Sequence, residues 1–296
     1  MTRHEERMSP LQPMPVPCPL CGEDDPSPLF RVGDPFMSIV RCRACRMMYQ
    51  SPRIPESEMG DAHLHFEEYS HYPALNAAKF ELFAHRVDQL TEKADLPQAG
   101  AFLDIGTGYG SMLDAIADRY PAWDRTAVEI SLSAREELAR RGHHAIGSMA
   151  ELPPDARYDW INLDNVLEHL PDPLADLRRI RERLTPEGFV YVEVPNEWLI
   201  QFKYRINDWA RGFSKPPTFP GHMSLFTRRT LKAMSDSAGF TRAEIWSESI
   251  SAPWRIQALA GIEPDDRLKR ILAVLRRTKL DLILGQGYFL CALLRR

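Results

Sequence analysis

The stretch Phe102-Leu-Asp-Ile-Gly-Thr-Gly-Tyr-Gly110 runs a short apolar segment straight into three alternating glycines, with Asp104 just ahead of them. Ala101 to Ile105 reads as a buried strand, Gly106, Gly108 and Gly110 as the turn, and Met112 to Tyr120 as the helix that follows. Glycine-rich loops that hold nucleoside-bearing cofactors use this strand-turn-helix geometry, and so does an ordinary tight turn. Glycine serves there because the backbone takes unusual dihedrals and a ligand comes close. The spacing separates cofactor classes. A dinucleotide fingerprint would want its third glycine at Ser111, one residue later than Gly110. Asp104 would repel a pyrophosphate held at the turn, whereas it suits a cofactor carrying an ammonium and a sulfonium. The loop therefore points to S-adenosylmethionine rather than to a nicotinamide dinucleotide.

Outward from the loop, Glu129 ends the next expected strand, at the distance where an acidic residue hydrogen-bonds ribose hydroxyls. Gly147-Ser-Met-Ala150 follows the third strand, where backbone amides and an apolar side chain could edge an adenine, as many strand-end loops could. Strands are expected near 101–105, 124–130, 143–146, 159–164, 189–194, 240–247 and 287–294. Helices fill the gaps near 110–119, 133–141, 174–184 and 228–238. Such alternation is the pattern of an α/β fold, a doubly wound sheet covered on both faces. Ser133 with Glu136 reads as a capping pair for the second helix, and a Pro-Asp-Pro turn precedes the one near Leu174. Thr185-Pro-Glu-Gly188 closes that helix and turns into the fifth strand.

The chain has 296 residues, enough for a full core and a small appendage, and its formal net charge of −4 shows no general basic excess for neutralising phosphates. That argues against a nucleic-acid partner. Met1 to Pro17 is polar and Pro-rich without an apolar signal core, and no apolar run reaches membrane-spanning length, so a cytoplasmic protein with no membrane span is expected. Four of the five cysteines form the pairs Cys18-Pro-Leu-Cys21 and Cys42-Arg-Ala-Cys45, a zinc-ribbon spacing in which two knuckles turn four thiolates toward one tetrahedral ion. Two disulfides are disfavoured in the cytosol, and a dithiol redox pair would not need a second pair. Cys291 stands apart in an apolar run and reads as a small buried hydrophobe.

Two segments exceed ordinary loop length, Asn196 to Phe226 and Ser251 to Gln286. The first carries Trp198, Phe202, Tyr204, Trp209, Phe213 and Phe219, which could form an aromatic lid or satellite helices burying their own rings. The second holds a basic amphipathic helix starting at Arg267, for which packing on its own domain is the simpler reading beside a membrane surface or an acidic partner.

The loop, Glu129 and above all Tyr158-Asp-Trp-Ile-Asn-Leu-Asp-Asn-Val-Leu-Glu-His-Leu-Pro-Asp-Pro173 resemble the class I S-adenosylmethionine-dependent methyltransferase family. So do Gly188-Phe-Val-Tyr-Val-Glu-Val-Pro-Asn196, Gly221-His-Met-Ser-Leu-Phe-Thr227 and Ala238-Gly-Phe240. The resemblance runs from about Ala101 to the C-terminus and implies a seven-stranded sheet, parallel except for its last strand, with Tyr288 to Leu294 inserted antiparallel. It implies a cofactor set of Asp104, Gly106, Gly108, Gly110, Glu129, Ile130, Ser148, Met149, Asp164 and Asn165. Ser148 stands where the family often has an acid, and Asn165 replaces a frequent aspartate; each change costs at most a hydrogen bond, about 1 kcal/mol. A Cys module joined to such a domain is similar to a subgroup that acts on sugars and other biosynthetic intermediates. The expected organisation is a flexible start at 1–17, a zinc-ribbon-like module at 18–50, a helical connector covering the cofactor at 51–98, and the methyltransferase domain at 99–296 with insertions 196–226 and 251–286.

Methyl transfer from a sulfonium needs alignment of nucleophile, methyl and sulfur, and removal of a proton. Histidine is the natural base near neutral pH, and the candidates are His222, in the segment returning from the first insertion, and His169, paired with Glu168. Either could equally be a structural histidine. With Glu168 they could also hold a divalent metal, although Asn165 is a weak ligand where relatives place a carboxylate. The expected function is methyl transfer to a small-molecule acceptor, a sugar or secondary-metabolite intermediate. The alternatives are an RNA base methyltransferase that docks RNA through Arg41, Arg43 and Arg46, and a non-catalytic zinc-ribbon scaffold with a vestigial cofactor fold.

Overall fold

Period-two alternation along the central strands sorts their side chains onto two faces, and each face has its own helices. The computed structural model describes residues 13–32, 37–53, 72–94, 96–197, 221–248, 265–277 and 289–296. Three strands form a small N-terminal ribbon: β1 (Pro26–Val32), β2 (Met37–Cys42) and β3 (Met48–Gln50). A long helix, α1 (Tyr72–Ala94), leads to the alternating part: β4 (Ala101–Ile105), α2 (Ser111–Arg119), β5 (Asp124–Val128), α3 (Leu132–Arg140), β6 (His144–Ile146), β7 (Tyr158–Asp164), α4 (Pro173–Glu182) and β8 (Leu184–Pro195). After β9 (Ser224–Leu225) come α5 (Arg228–Ser237), β10 (Arg242–Glu248), α6 (Asp266–Arg277) and β11 (Phe289–Arg295).

The larger sheet has seven strands in the order β10-β11-β8-β7-β4-β5-β6. Its β6-β5-β4-β7-β8 part is parallel, and β11 inserts antiparallel to both β8 and β10, as the family resemblance implied. On one face Phe102, Trp160 and Phe189 lie side by side across β4, β7 and β8, with ring centroids 5.2 and 5.3 Å apart, under α1 and α2. On the other face Leu103, Ile161 and Val190 meet Leu177 and Ile180 of α4 and Leu231 and Met234 of α5. Each of these fully buried apolar side chains contributes about 1.5–3 kcal/mol relative to exposure, so the doubly wound arrangement follows from where the apolar side chains point.

Several local expectations shift. The cap of α3 is Ser131 rather than Ser133: its side chain accepts from the Ala134 amide at 3.3 Å, and Ser133 Oγ bonds Ser131 Oγ instead. The segment Thr185-Pro-Glu-Gly188 belongs to β8, which starts at Leu184 opposite Tyr158 across an irregular register. The ribbon is also not self-contained. β9 pairs with β3, placing Leu225 beside Met48 and Ser224 beside Tyr49, so a strand from the end of the first insertion completes a four-stranded sheet. Cys18, Leu20, Val40, Cys42, Met47 and Tyr49 share one core with the α4 and α5 face of the larger sheet. α6 forms as expected, with Ile271 and Val274 exposed. The aromatic residues between Trp198 and Phe219, and the connector residues His63, His65, Tyr69 and His71, lie outside the described residues.

Candidate active site

The glycine loop leaves β4 at the carboxyl edge of the sheet. Gly106 donates to the Val128 carbonyl at 2.8 Å, tying the turn to β5. Gly106 and Gly110 take φ of +69° and +78°, and a Cβ would stand 2.5 Å from Val166 at the first and 2.4 Å from Leu138 at the second. At Gly108, by contrast, a Cβ would meet nothing within 4 Å, so the crest of the loop is open to an approaching ligand. Asp104 lies beneath it, 2% exposed, accepting from Thr107 Oγ1 at 2.6 Å and from Asn162 Nδ2 at 2.8 Å. Burial pushes its carboxyl up to about 7, against those two hydrogen bonds. In this arrangement Asp104 staples the loop from below.

Glu129 stands just past β5 and faces the crest. Its Oε2 accepts from the Gly108 amide at 2.7 Å and its Oε1 from the Ser131 amide at 2.8 Å. Each carboxylate oxygen can accept a second bond, so both retain capacity for a pair of hydroxyls. Arg135 grips the Ile130 carbonyl at 2.9 Å, and Ile130 itself is 55% exposed beside Glu129. Farther along the edge, Ser148 Oγ caps the short turn Met149–Glu151, with Met149 half-buried. Glycine loop, ribose-type acid and apolar edge thus lie together, which fits the nucleoside part of S-adenosylmethionine.

The loop after β7 forms the opposite wall, since Val166 packs on Gly106. Asp164 ends the strand, and Asn165, at φ +54°, donates to its Oδ1 at 2.6 Å. A turn at Leu167–His169 then buries Glu168. The Nε2 atoms of His169 and His222 each lie 4.0 Å from Glu168 Oε1, and the two imidazoles meet edge to face at 4.7 Å. His169 Nδ1 is 2.9 Å from the Gly221 carbonyl, and the Met223 amide donates to the Glu168 carbonyl at 2.8 Å, so this cluster is built where the chain returns from the first insertion. Among the described residues neither carboxyl oxygen of Glu168 has a hydrogen-bond partner, and burial holds this acid well above the usual carboxylate range. Burial, with His169 beside it, pushes His222 down to about 4, leaving a neutral imidazole near pH 7. Ligand atoms of Glu168, His169 and His222 all fall within 4.8 Å of one another, close enough to share a cation.

In the ribbon, Cys18 and Cys45 sulfurs are 3.4 Å apart, and those of Cys21 and Cys42 are 3.6 Å apart. All four ligand atoms lie within 4.8 Å, and all four cysteines are free. A disulfide needs sulfurs at about 2.05 Å, whereas ligands about 2.3 Å from a tetrahedral zinc stand roughly 3.8 Å apart. The four-sulfur geometry fits the ion. Of the ribbon arginines, Arg43 pairs with Asp25 at 3.4 Å and Arg41 reaches the Met48 sulfur at 3.7 Å.

Two features had no place in the sequence reading. Arg86 of α1 is buried among Asp164, Glu193 and Glu248. Glu197, just beyond β8, is 1% exposed and has no hydrogen-bond partner for its carboxyl among the described residues, and burial pushes that carboxyl up to about 8. A signal existed for the first: Glu193 interrupts the apolar run of β8 and requires a buried cation.

With this geometry in hand, comparison with known proteins is informative. A family profile described as "Methyltransferase domain" matches residues 75–245, more than half of the chain. The trans-aconitate 2-methyltransferase of Variovorax paradoxus is 25% identical over 128 residues, covering 42% of this chain and 49% of that protein, so the chain spans about half the length of that relative. The ubiquinone biosynthesis O-methyltransferase of Neisseria meningitidis serogroup C is 22% identical over 182 residues, 53% of this chain and 73% of its own. Among solved structures, an S-adenosylmethionine-dependent methyltransferase of Thermotoga maritima superposes with a TM-score of 0.51 at 18% identity, covering 80% of this chain and 99% of that one. The plantazolicin methyltransferase BpumL in complex with S-adenosylhomocysteine gives 0.50 at 16% identity, over 81% and 92%. These structural matches concern the fold.

Proposed function

The chain belongs to the methyltransferase-domain family, and on that premise we propose that it transfers a methyl group from S-adenosylmethionine to a small-molecule acceptor, a sugar or secondary-metabolite intermediate. One observation carries the reading: Glu129 faces Gly108 across the open crest of the glycine loop, on the same sheet edge as the Glu168 cluster. When bound, the cofactor supplies an electrophilic methyl on a sulfonium. The residues of this chain hold and orient it. Glu129 accepts the ribose hydroxyls, Ile130 and Met149 flank the base, and the Asp164–Asn165 segment borders the amino-acid end. His222, which burial leaves unprotonated near pH 7 though a weaker base than an ordinary imidazole, takes the proton that the acceptor loses as its new bond to carbon forms and the carbon–sulfur bond breaks.

A second reading of the cluster is favoured by Glu168, whose buried carboxyl oxygens have no hydrogen-bond donor among the described residues although two imidazoles stand nearby. Glu168, His169 and His222 would then hold a divalent cation that orients an acceptor oxygen. In the ribbon, Cys18, Cys21, Cys42 and Cys45 bind a structural zinc ion, and the protein works in the cytoplasm; no helix among the described residues is long and apolar enough to cross a membrane. The function is tested by equilibrium binding of S-adenosylmethionine, where no binding at millimolar cofactor overturns it. Chelation separates the two readings of the cluster. Turnover that survives removal of every metal except the ribbon zinc supports His222 as base, and turnover lost and restored by a divalent cation supports the metal.

A further inference from the structure

Arg86 is 2% exposed, and a guanidinium that deep must have its charge met. Its planar fork holds five donors in a fixed geometry, whereas a lysine offers a point charge with three rotatable donors. Three strands provide them. Nη2 lies 2.6 Å from Glu193 Oε2 on β8 and 3.5 Å from Glu248 Oε2 at the end of β10, while Nη1 lies 3.2 Å from Asp164 Oδ2 at the end of β7. The guanidinium also stands 4.7 Å from the centre of the Tyr191 ring, whose hydroxyl donates to Glu193 at 3.0 Å.

Glu193 and Glu248 already meet the buried charge, so the contact to Asp164 does something more. Asp164 is where β7 leaves the sheet toward the glycine loop, and its other oxygen takes the Asn165 amide at 2.6 Å. One donor on each oxygen fixes the plane of the carboxylate. Asn165 holds a left-handed backbone, and Val166 beyond it packs on Gly106. A chain of direct contacts therefore runs from α1 through Arg86, Asp164 and Asn165 to the turn that receives the cofactor.

We propose that Arg86 is a positioning residue for cofactor binding. Through Asp164 it sets the 164–166 segment against the glycine loop, so that α1, which precedes every strand of the larger sheet, is part of the cofactor site. The inference rests on the reading that Asp164 borders the cofactor. Arg86→Lys keeps the charge and loses the fork, and S-adenosylhomocysteine, titrated calorimetrically, is the probe. We expect Arg86→Lys to weaken binding about tenfold while the ligand-free protein stays folded by circular dichroism. In an Asp164→Asn background the same change should add less than about twofold, because residues acting in series are not additive. Glu248→Gln, which removes a different arm of the Arg86 cluster, should leave the affinity unchanged.

An undiminished Arg86→Lys effect in the Asp164→Asn background, or an equal loss in Glu248→Gln, overturns the proposal in favour of a general packing role. If Asp164→Asn alone leaves affinity intact, the reading of Asp164 fails and the inference with it; if the wild-type chain does not bind at all, the proposed function is what fails. Should Arg86→Lys not fold, hydrogen exchange decides. Bound S-adenosylhomocysteine should protect amides of α1 around Arg86 in the wild type and not in Asp164→Asn, and equal protection in both contradicts the proposal.

Discussion

Two groups of acids in this domain differ in a cation. Asp164, Glu193 and Glu248 surround Arg86, whose guanidinium is held firmly charged against its own burial by those carboxylates. The carboxyls of Glu168 and Glu197, residues 1% exposed each, have no hydrogen-bond partner among the described residues and are both pushed up by burial, Glu197 to about 8. The first group is a closed electrostatic unit that fixes α1 to the sheet. The second keeps protons at pH values where an ordinary carboxyl has lost them, beside a histidine that burial keeps neutral. Structure is made where a cation meets the acids, and proton chemistry becomes available where none does.

Arg86→Met leaves buried carboxylates without their cation and should destabilise the protein by about 3–5 kcal/mol, read from urea unfolding; a loss near zero would mean that the acids there are neutral and the contrast is false. Glu197→Gln should act in the opposite direction. Its carboxyl rises in the folded state from 4.5 to about 8, so the stabilising contribution of the bound proton is full below pH 4.5 and is lost as pH climbs toward 8. The variant should match wild type near pH 4.5 and exceed it by roughly 4 kcal/mol at pH 8, and parallel pH profiles would show that Glu197 carries no such shift. His222→Ala should lower kcat about a hundredfold with cofactor affinity unchanged; an equal loss in cofactor affinity would move His222 from chemistry to scaffold.

Much of this architecture is written locally. Three glycines at fixed spacing, an acid at the end of the next strand, and period-two alternation at Phe102/Leu103, Trp160/Ile161 and Phe189/Val190 place the sheet, its two cores and the cofactor edge. Pairing across large sequence separations is what stayed hidden. β9 is only Ser224–Leu225, too short to carry a strand signal, and it exists because the ribbon edge at β3 offers partners. Arg86 in Phe-Ala-His-Arg-Val reads as a helix surface residue, since its carboxylates lie 78, 107 and 162 positions away. The Ser131 cap differs from Ser133 for a similar reason: neighbouring serines present the same local signal, and the exit of the chain at Glu129 selects between them.

Whether the crest of the glycine loop receives S-adenosylmethionine is decided by calorimetric titration of the wild-type chain and of Gly108→Val, which places a branched side chain at φ +55° in the open space above the loop. Saturable one-to-one binding in the wild type, abolished in a variant that remains folded, is the predicted result; no heat up to millimolar cofactor, or equal affinity in both proteins, would contradict it.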